Sequence, residues 1–438
     1  MATICIDGFN LALAKGTGIA TYGRNLLDSA RSLGFRTEVL YGPAAPRHSD
    51  AVVNETALTE GKRQPRSLSR KQKIRRFTET YMSRYGRTAH AIPPSGEVIW
   101  PEGSEGRPAA DRFWAARDLY FHAKRCFTTY GKDTPVSFET ATDVPPPDVM
   151  HWTSLLPLHA RRQPNIYTIH DLIPLRLPHT TTDDRALYRA LCDMIARRAD
   201  HIAVVSETTR QDVIRLLGVS EDRVTNTYQA VSLPEKLTSR SQADVTLELE
   251  GVFNLGWKDY FLHFGAIEPK KNLGRIVEAY LASGSQTPLV IIGGRAWLDE
   301  GETALLNQVK RDGGPSADRI RQYEYMPFSM LISLIRGAKA TLFPSLYEGF
   351  GLPVLESMQM GTAVLTSTGG SLPEVAGDAA LVVAPDDVEA IKRGIIALDA
   401  DDALRADLEA RGRIQARRFT PAAHQERLAA VYAGLGLR

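Results

Sequence analysis

Two glutamates, Glu348 and Glu356, lie eight positions apart in the segment SLYEGFGLPVLESMQMG near the end of the chain. An ionised carboxylate only accepts hydrogen bonds, so the pair suits the hydroxyl donors of sugars. Gly349 and Gly351 let the backbone approach a ligand, and Pro353 is typical of the first turn of a helix, where amides favour phosphate. The pattern fits a nucleotide-sugar site, and it fits equally a plain strand–loop–helix connection whose acid is stabilised by the helix dipole.

A glycine-containing loop, Gly16, Thr17 and Gly18, follows the first predicted strand and precedes the first predicted helix. Its amides are placed to meet a diphosphate at a helix N-terminus. A dinucleotide-binding fingerprint would need glycine where Thr21 stands, and an acid at the end of the second strand, where the chain has Tyr41. These departures argue against a dehydrogenase.

His170 and Asp171 end a predicted strand in the segment YTIHDLIPL. A lone His–Asp pair is more often structural than catalytic, but doubly wound folds bind ligands at the carboxyl ends of their strands. We therefore predict that both residues face a cleft and that His170 belongs to the active site.

Short apolar runs alternate with helical patterns along the chain, which predicts parallel sheets covered by helices on both faces. The alternation restarts near residue 258, after a polar stretch at 235–250. We therefore predict an α/β fold with two doubly wound domains facing each other across a cleft. The first comprises 1–240 and the second 241–420, and the final helix, 421–438, packs back onto the first.

The interval from about 50 to 150 departs from this alternation and is predicted to be an insertion in the first domain. Its segment 62–87 has ten Lys/Arg and one Glu, with Ile74, Phe77 and Tyr81 at helical spacing. The apolar stripe could pack on the domain, or the helix could bind nucleic acid. A third interpretation is attachment to an anionic membrane surface or capture of an anionic acceptor. The basic patch would consist of Arg70, Lys71, Lys73, Arg75 and Arg76.

Whole-chain composition narrows the protein class. The net charge of the 438 residues is only +2, which does not favour nucleic acid as a partner. Three widely spaced cysteines without a C-x-x-C motif are typical of a reducing compartment. The first residues, MATICIDGFNLAL, lack the basic segment of a signal peptide, and no apolar run approaches the ~20 residues that span a bilayer. We expect a cytoplasmic protein, or one bound peripherally to the inner face of the membrane.

The segment 345–387 resembles the signature of the retaining GT-B glycosyltransferases of family 4, which include many bacterial polysaccharide mannosyl- and glucosyltransferases. It has their E-x7-E spacing and continues as GGSLPEVAGDAAL. HFGAIEPKKNLGRIVEAY at 263–280 and LVIIGGRAWL at 289–298 are also similar, and residues 7–26 match more loosely. The resemblance covers most of the chain outside about 45–150, and it implies a GT-B fold of two Rossmann-like domains.

The resemblance also implies roles for the residues of the glycine turn. Glu348 would contact the donor sugar and Glu356 the ribose hydroxyls. The amides of Gly349, Phe350 and Gly351 would approach the sugar and the diphosphate.

The same resemblance assigns Lys271, in the segment EPKKN, to the diphosphate. Many members have arginine where this chain has Ala266, so Lys270 would supply the second positive charge. The leaving diphosphate needs a metal or fixed cations to neutralise it, and the D-A-D sequence at 399–401 is typical of solvated surface. We therefore expect no metal and no other cofactor. His170 would lie near the transferred sugar and act with Glu348 and Lys271.

These implications combine into one functional prediction. The protein is expected to be a retaining, metal-independent transferase that moves a hexose onto a glycan or lipid-linked acceptor in bacterial polysaccharide synthesis. The first candidate donor is GDP-mannose, which would supply mannose. The acceptor would bind on the side of Asp171. UDP-glucose and dTDP-rhamnose stay open as donors, and the retaining route stays open between one-face and covalent transfer. The alternative classes are a GT-B sugar-nucleotide epimerase or phosphorylase, and a non-catalytic membrane-surface adaptor.

Overall fold

The computed structural model describes residues 1–12, 18–59, 69–100, 106–140, 144–231, 233–294 and 300–437. Its described residues form two β-sheets, one in each half of the chain.

Ten strands form the first sheet within the described residues. They are β1 (Thr3–Asp7), β2 (Arg36–Tyr41), β3 (Arg87–Ile92), β4 (Arg112–Ala115), β5 (Thr134–Phe138), β6 (Val149–Trp152), β7 (Leu158–Ala160), β8 (Asn165–Ile169), β9 (His201–Val204) and β10 (Val224–Asn226). Their spatial order is β10-β9-β8-β6-β1-β2-β4-β3-β5-β7, and all neighbouring pairs are parallel except β3 and β4. All five residues of β8 are buried, as expected for a strand covered on both faces.

Six parallel strands form the second sheet in the described part of the chain. They are β11 (Phe261–Phe264), β12 (Leu289–Ile292), β13 (Ile320–Tyr323), β14 (Ala340–Phe343), β15 (Ala363–Ser367) and β16 (Leu381–Val383). The spatial order β13-β12-β11-β14-β15-β16 places β11 and β14 side by side at the centre. The prediction of two doubly wound parallel-sheet domains is confirmed.

Helices cover both sheets, and several begin at side chains that cap their first amides, such as Ser206, Asp387 and Thr420. The helices of the described residues are α1 (Gly18–Ser32), α2 (Ala51–Thr59), α3 (Arg70–Met82), α4 (Leu119–Tyr130), α5 (Ile173–Arg176), α6 (Arg185–Arg198), α7 (Glu207–Leu217), α8 (Glu235–Thr238), α9 (Gln242–Glu248), α10 (Leu273–Ser283), α11 (Glu300–Asp312), α12 (Pro315–Arg319), α13 (Phe328–Gly337), α14 (Leu352–Gln359), α15 (Leu372–Ala376), α16 (Val388–Ala400), α17 (Asp402–Ala416) and α18 (Pro421–Gly434).

The interval that the sequence pattern predicts to be an insertion builds much of the first sheet. Strand β4 pairs with β2, and β3 and β5 extend the sheet beyond β4. Trp114 of β4 is fully buried. The sequence pattern is weak here because strands such as RTAHAI and TPVSF are short and mix polar with apolar residues, unlike a continuous apolar run.

The chain crosses back at its end. Helix α18 packs on α1, and the Tyr432 hydroxyl lies 3.1 Å from His151 Nδ1 on β6 of the first domain. One apolar cluster includes Leu26 of α1 and Leu428 of α18 together with Val354 and Leu372 of the second domain. The two domains therefore share one apolar cluster.

Candidate active site

Glu348 and Lys271 form an ion pair at the carboxyl edge of the second sheet. Lys271 Nζ donates a hydrogen bond of 2.6 Å to Glu348 Oε1, and the two side chains are 12% and 9% exposed. The residues are 77 positions apart, but they occupy the loops that follow β11 and β14. Because those two strands are paired, their loops meet at one edge of the sheet.

The charges of the site hold one another in their ionised forms. Burial raises the pKa of Glu348, but the ammonium groups of Lys271 and Lys270 outweigh it and keep that pKa below its ordinary value. Burial lowers the pKa of Lys270, and the carboxylates of Glu348, Asp171 and Glu268 outweigh it and raise that pKa. At neutral pH the site therefore presents an ionised Glu348 beside a protonated Lys270.

Asn272, which follows the two lysines, was not predicted as a site residue. Its side-chain amide donates to the carbonyl oxygens of Pro344, at 2.9 Å, and Pro385, at 2.6 Å. The backbone has φ of 64° there, a left-handed conformation that asparagine tolerates. Asn272 thus ties the lysine turn to the end of β14, and the EPKKN segment contained the signal for it.

Glu356 lies in the second turn of α14, slightly deeper in the helix than the sequence pattern indicates. The residue is half-buried, and burial raises the pKa of its carboxyl to about 7, against a smaller lowering by Lys271. Glu356 therefore changes protonation state close to neutral pH.

Gly349 is required by the neighbouring domain. A Cβ atom at this position would lie 2.2 Å from the carbonyl oxygen of His170 and 2.8 Å from Cβ of Asp171. Gly351 has a different reason, since its φ of +110° turns the chain into α14. Glycine at 349 thus lets the loop of the second domain touch the end of β8 in the first.

Phe350 contributes only its backbone to the cleft. Its ring is 4% exposed and packs edge-on against Phe419, with ring centroids 5.6 Å apart. The hydroxyl of Ser371 donates to the carbonyl oxygens of Phe350, at 2.7 Å, and Glu348, at 3.0 Å. Ser371 therefore fixes the backbone of the loop between the two glutamates.

His170 lies against this loop, but its imidazole is occupied. Nε2 lies 2.9 Å from the carbonyl oxygen of Thr153, which can only accept, so that nitrogen carries the proton. Nδ1 then accepts from the side-chain amide of Gln229 at 3.4 Å. Burial lowers the pKa of His170, which keeps the ring neutral. His170 is therefore placed to shape the site with its ring and carbonyl rather than to act as a free base.

Asp7 and Thr153, which support His170, were also not predicted as site residues. The Thr153 hydroxyl donates to Asp7 Oδ2 at 2.9 Å, and burial raises the pKa of Asp7 to about 6. Asp7 ends β1, so its place at the carboxyl edge of a predicted strand was a signal comparable to that of His170. Together Asp7 and Thr153 fix the orientation of the histidine ring.

Asp171 lies two residues before the short helix α5. Its Oδ1 accepts a hydrogen bond of 3.0 Å from the backbone N–H of Ile173, the first residue of α5. The side chain faces the same interdomain region, since its Cβ lies close to Gly349. The residue therefore combines a local hydrogen bond to the start of α5 with a place beside the loop 344–351, which we call the donor loop.

The glycine loop of the first domain lies only partly within the described residues. Gly16 and Thr17 fall outside them, and Gly18 is the first residue of α1. A Cβ atom at Gly18 would lie 3.6 Å from Leu352 Cδ1 at the start of α14. The starts of these two helices, one from each domain, therefore face each other.

In the D-A-D sequence, Ala400 and Asp401 are exposed, as expected of solvated surface, but Asp399 is half-buried and has partners in its own domain. Asp399 accepts from Lys339 Nζ at 2.7 Å and from the Thr287 hydroxyl at 2.7 Å. Asp401 caps the first turn of α17 through the amide of Leu404. In the ranges that the structure describes, no three His, Cys, Asp or Glu residues are grouped so as to hold a metal ion.

Two family models match the chain. Residues 104–233 match the model described as Glycosyltransferase Family 4, and residues 253–415 match the model described as Glycosyl transferases group 1. The first match lies in the first domain, and the second includes the loops of Lys271 and Glu348.

Among similar proteins of known name, O-antigen chain mannosyltransferase B of Escherichia coli is 36% identical over 261 residues, which cover 58% of this chain and 66% of that protein. Serotype-specific mannosyltransferase WbdA of Escherichia coli is 30% identical over 256 residues, 57% of this chain and 31% of that protein. The matches thus span just under two thirds of the first relative and about a third of the second.

Solved structures share the whole fold. Sucrose-phosphate synthase from Thermosynechococcus elongatus superimposes with a TM-score of 0.63 at 17% sequence identity and covers 99% of each chain. With matching family models in both domains and this common architecture, the chain belongs to the family 4 glycosyltransferases of GT-B fold.

Proposed function

We propose that the protein transfers a hexose from a nucleotide sugar to a glycan or lipid-linked acceptor in bacterial polysaccharide synthesis. The observation that carries this proposal is the buried pair of Lys271 and Glu348, with Lys270 beside it, at the carboxyl edge of the second sheet. Mannose from GDP-mannose is the first candidate, because both named relatives are mannosyltransferases.

The chemistry of transfer follows from the charges. Departure of the nucleoside diphosphate leaves negative charge on phosphate oxygens, and fixed cations at that place lower the barrier. We assign this role to Lys270 and Lys271, so that no metal is required. Glu348 would accept hydrogen bonds from the hydroxyl groups of the donor hexose, and Glu356 would accept them from those of the ribose. We propose that transfer retains the anomeric configuration, which nuclear magnetic resonance of the product would report.

A donor screen tests the proposal. A ligand at one hundred times its Kd stabilises the folded state by about 2.7 kcal/mol, and the stabilisation grows as the Kd falls. At equal concentrations, the preferred donor, GDP-mannose, should therefore raise the melting temperature most. UDP-glucose and dTDP-rhamnose serve as competing donors, and GDP and mannose alone separate the contribution of each part. Release of GDP in the presence of a mannose-terminated glycan would complete the test. A larger response to UDP-glucose would overturn the donor assignment, and no response to any nucleotide sugar would overturn the function.

The affinity for GDP is expected to rise about tenfold between pH 6 and pH 8. The pKa of Glu356 is raised to about 7, so below that pH the carboxyl is protonated and accepts ribose hydroxyls less well. Titration calorimetry at several pH values measures the effect, and Glu356→Gln should flatten the profile. Asp28→Asn is the control, since burial also raises the pKa of Asp28 but on α1 of the first domain. A profile unchanged by Glu356→Gln would contradict the ribose assignment.

We further propose that α3 binds the anionic inner face of the membrane. No helix in the described ranges is both long and apolar enough to cross a bilayer. On α3, Ile74 is 60% and Phe77 61% exposed, which contradicts the interpretation that this stripe packs on the domain. The third residue of the stripe, Tyr81, contacts the ring of Tyr130. Residues 62–68 of the predicted basic segment lie outside the described residues.

The basic residues around this apolar pair favour an anionic lipid surface. Those of the predicted patch on α3 are all exposed or half-buried: Arg70, Lys71, Lys73, Arg75 and Arg76. Arg75 pairs with Glu79 at 2.9 Å, and Arg76 lies over the ring of Phe121. The helix thus combines apolar groups that can enter a headgroup layer with cations that attract it.

The double variant Ile74→Ser/Phe77→Ser is expected to lose most of its binding to vesicles that contain phosphatidylglycerol. Sedimentation with vesicles measures this, and neutral phosphatidylcholine vesicles report the electrostatic part. Ile414→Ser is the matched control, because Ile414 is 64% exposed on α17 of the other domain. Equal binding by the double variant and the control would rule out this surface.

A further inference from the structure

Tyr347, the residue before Glu348, reaches across to helix α7 of the first domain. Its ring is 7% exposed, and its hydroxyl donates to Asp212 Oδ2 at 2.6 Å. Asp212 is itself 4% exposed and also pairs with Arg215 at 3.0 Å and Arg176 at 3.6 Å. The acceptor is therefore a carboxylate that two guanidinium groups also contact, and charge-assisted hydrogen bonds are about twice as strong as neutral ones.

Glu374, on α15 of the second domain, caps the same helix. Its two carboxylate oxygens accept from the backbone N–H of Glu207 at 2.9 and 3.0 Å. The helix already has its own cap, Ser206, whose hydroxyl accepts from the amide of Thr209 at 3.0 Å. A carboxylate at this end is favoured by the unpaired amides and the helix dipole, so α7 offers the second domain a charged anchoring point.

Thr209 completes the contact between the domains. Its hydroxyl oxygen lies 3.2 Å from the carbonyl oxygen of His170 and 3.5 Å from that of Gly349. The neighbouring Thr208 hydroxyl donates to the carbonyl oxygen of Gly370 at 3.3 Å. One turn of α7 therefore touches the donor loop, the loop before α15 and the end of β8.

We propose that α7 is the docking element for the donor loop and that Tyr347 and Glu374 are positioning residues for transfer. This inference rests on the proposed function for its catalytic consequence. Neither side chain lies among the charges of the nucleotide site, but Tyr347 adjoins Glu348. Glu374 attaches α15 to α7, and Ser371, just before α15, binds the carbonyl oxygen of Glu348. The candidate nucleotide ligands, Lys271 and Glu356, both lie in the second domain and stay in place when α7 is released.

Docking should therefore affect turnover and leave nucleotide binding intact. Tyr347→Phe removes one hydroxyl and leaves Asp212 paired with its arginines, while Glu374→Leu removes the charged cap. Each is expected to lower kcat about tenfold, with the Kd for GDP within twofold of the parent value. Glu374→Gln keeps an acceptor oxygen and should recover part of kcat. Tyr280→Phe is the matched control, since its hydroxyl donates to Thr287 O inside the second domain.

A distance measurement separates docking from catalysis. Spin labels at Lys132→Cys and Asp312→Cys, on exposed positions of the two domains, report the interdomain geometry of the full chain, because Cys5, Cys126 and Cys192 are buried. A narrow distribution should broaden or shift in Tyr347→Phe and in Glu374→Leu. An unchanged distribution in both variants would overturn the inference, as would an equal loss of kcat in Tyr280→Phe. If distances respond but the parent transfers no sugar, the proposed function fails and docking stands.

Discussion

Replacing Glu348 by glutamine is expected to lower kcat for hexose transfer by about 10³-fold, because it removes the proposed partner of the hexose hydroxyls and releases Lys271, whose charge would stabilise the leaving diphosphate. Glu348 is held in its ionised form by Lys271, 2.6 Å away, and by Lys270. Glutamine keeps the size of the side chain and removes the charge, so it separates the loss of the carboxylate from a packing defect. Single-turnover measurements with saturating GDP-mannose would isolate the chemical step.

The same change is expected to cost stability. Breaking a buried ion pair by removing one partner typically costs about 3–5 kcal/mol, because the remaining charge is left uncompensated. Glu348→Ala would combine that cost with a cavity, so glutamine is the better test. Asp399→Asn is the matched control, since it breaks a comparable pair with Lys339, at 2.7 Å, in the same domain. Full activity in Glu348→Gln, or an equal loss of activity in Asp399→Asn, would contradict the assignment of Glu348 to the donor.

Replacing Gly349 by alanine is expected to lower kcat by more than about 10²-fold, since a misplacement of 1 Å at a reacting centre costs that much. The added Cβ would lie 2.2 Å from the carbonyl oxygen of His170, so either the loop or the domain must move. The residue does not need an unusual φ, because positive φ values occur at Gly351 and not at Gly349. The loss would therefore report the contact between domains rather than backbone strain.

Gly434→Ala is the control for this change. Gly434 ends α18, and a Cβ atom there would meet nothing within 4 Å. The control should melt at or slightly above the temperature of the parent protein, because alanine is the better helix former. The Gly349 variant should melt lower and lose turnover. Turnover within twofold of the parent would mean that the close approach of the two domains is not needed for transfer.

The prediction for Glu348 originates in a local sequence pattern. The E-x7-E spacing identified Glu348 and Glu356 as candidates because carboxylates at a glycine turn suit a sugar ligand. The same residues allowed a plain strand–loop–helix connection, and nothing local decided between the two. The decisive partner, Lys271, stands 77 positions earlier in the chain, and it reaches Glu348 because β11 and β14 are neighbours in the sheet.

Local patterns were weakest where structure depends on the neighbours of a segment. The interval 50–150 was predicted to be an insertion, yet it supplies β4, which pairs with β2, and the strands β3 and β5 that extend the sheet beyond β4. Short strands of mixed polarity have little periodicity of their own, so the pattern of apolar residues does not reveal them. The contacts of Tyr347 and Glu374 with α7 had no local signal either, because both partners lie in the other domain.

By itself, the sequence determined the fold class, the family and the residue types of the candidate site. Apolar runs, helix starts and loop motifs are local, and they depend on the order of neighbouring residues. Only the tertiary structure decided which loops meet and that Gly349 is needed for the approach of His170. Only the tertiary structure, too, showed that both imidazole nitrogens of His170 have hydrogen-bond partners. The physical reason is that pairing, burial and pKa depend on distances between segments remote in sequence, and these exist only once both sheets have formed.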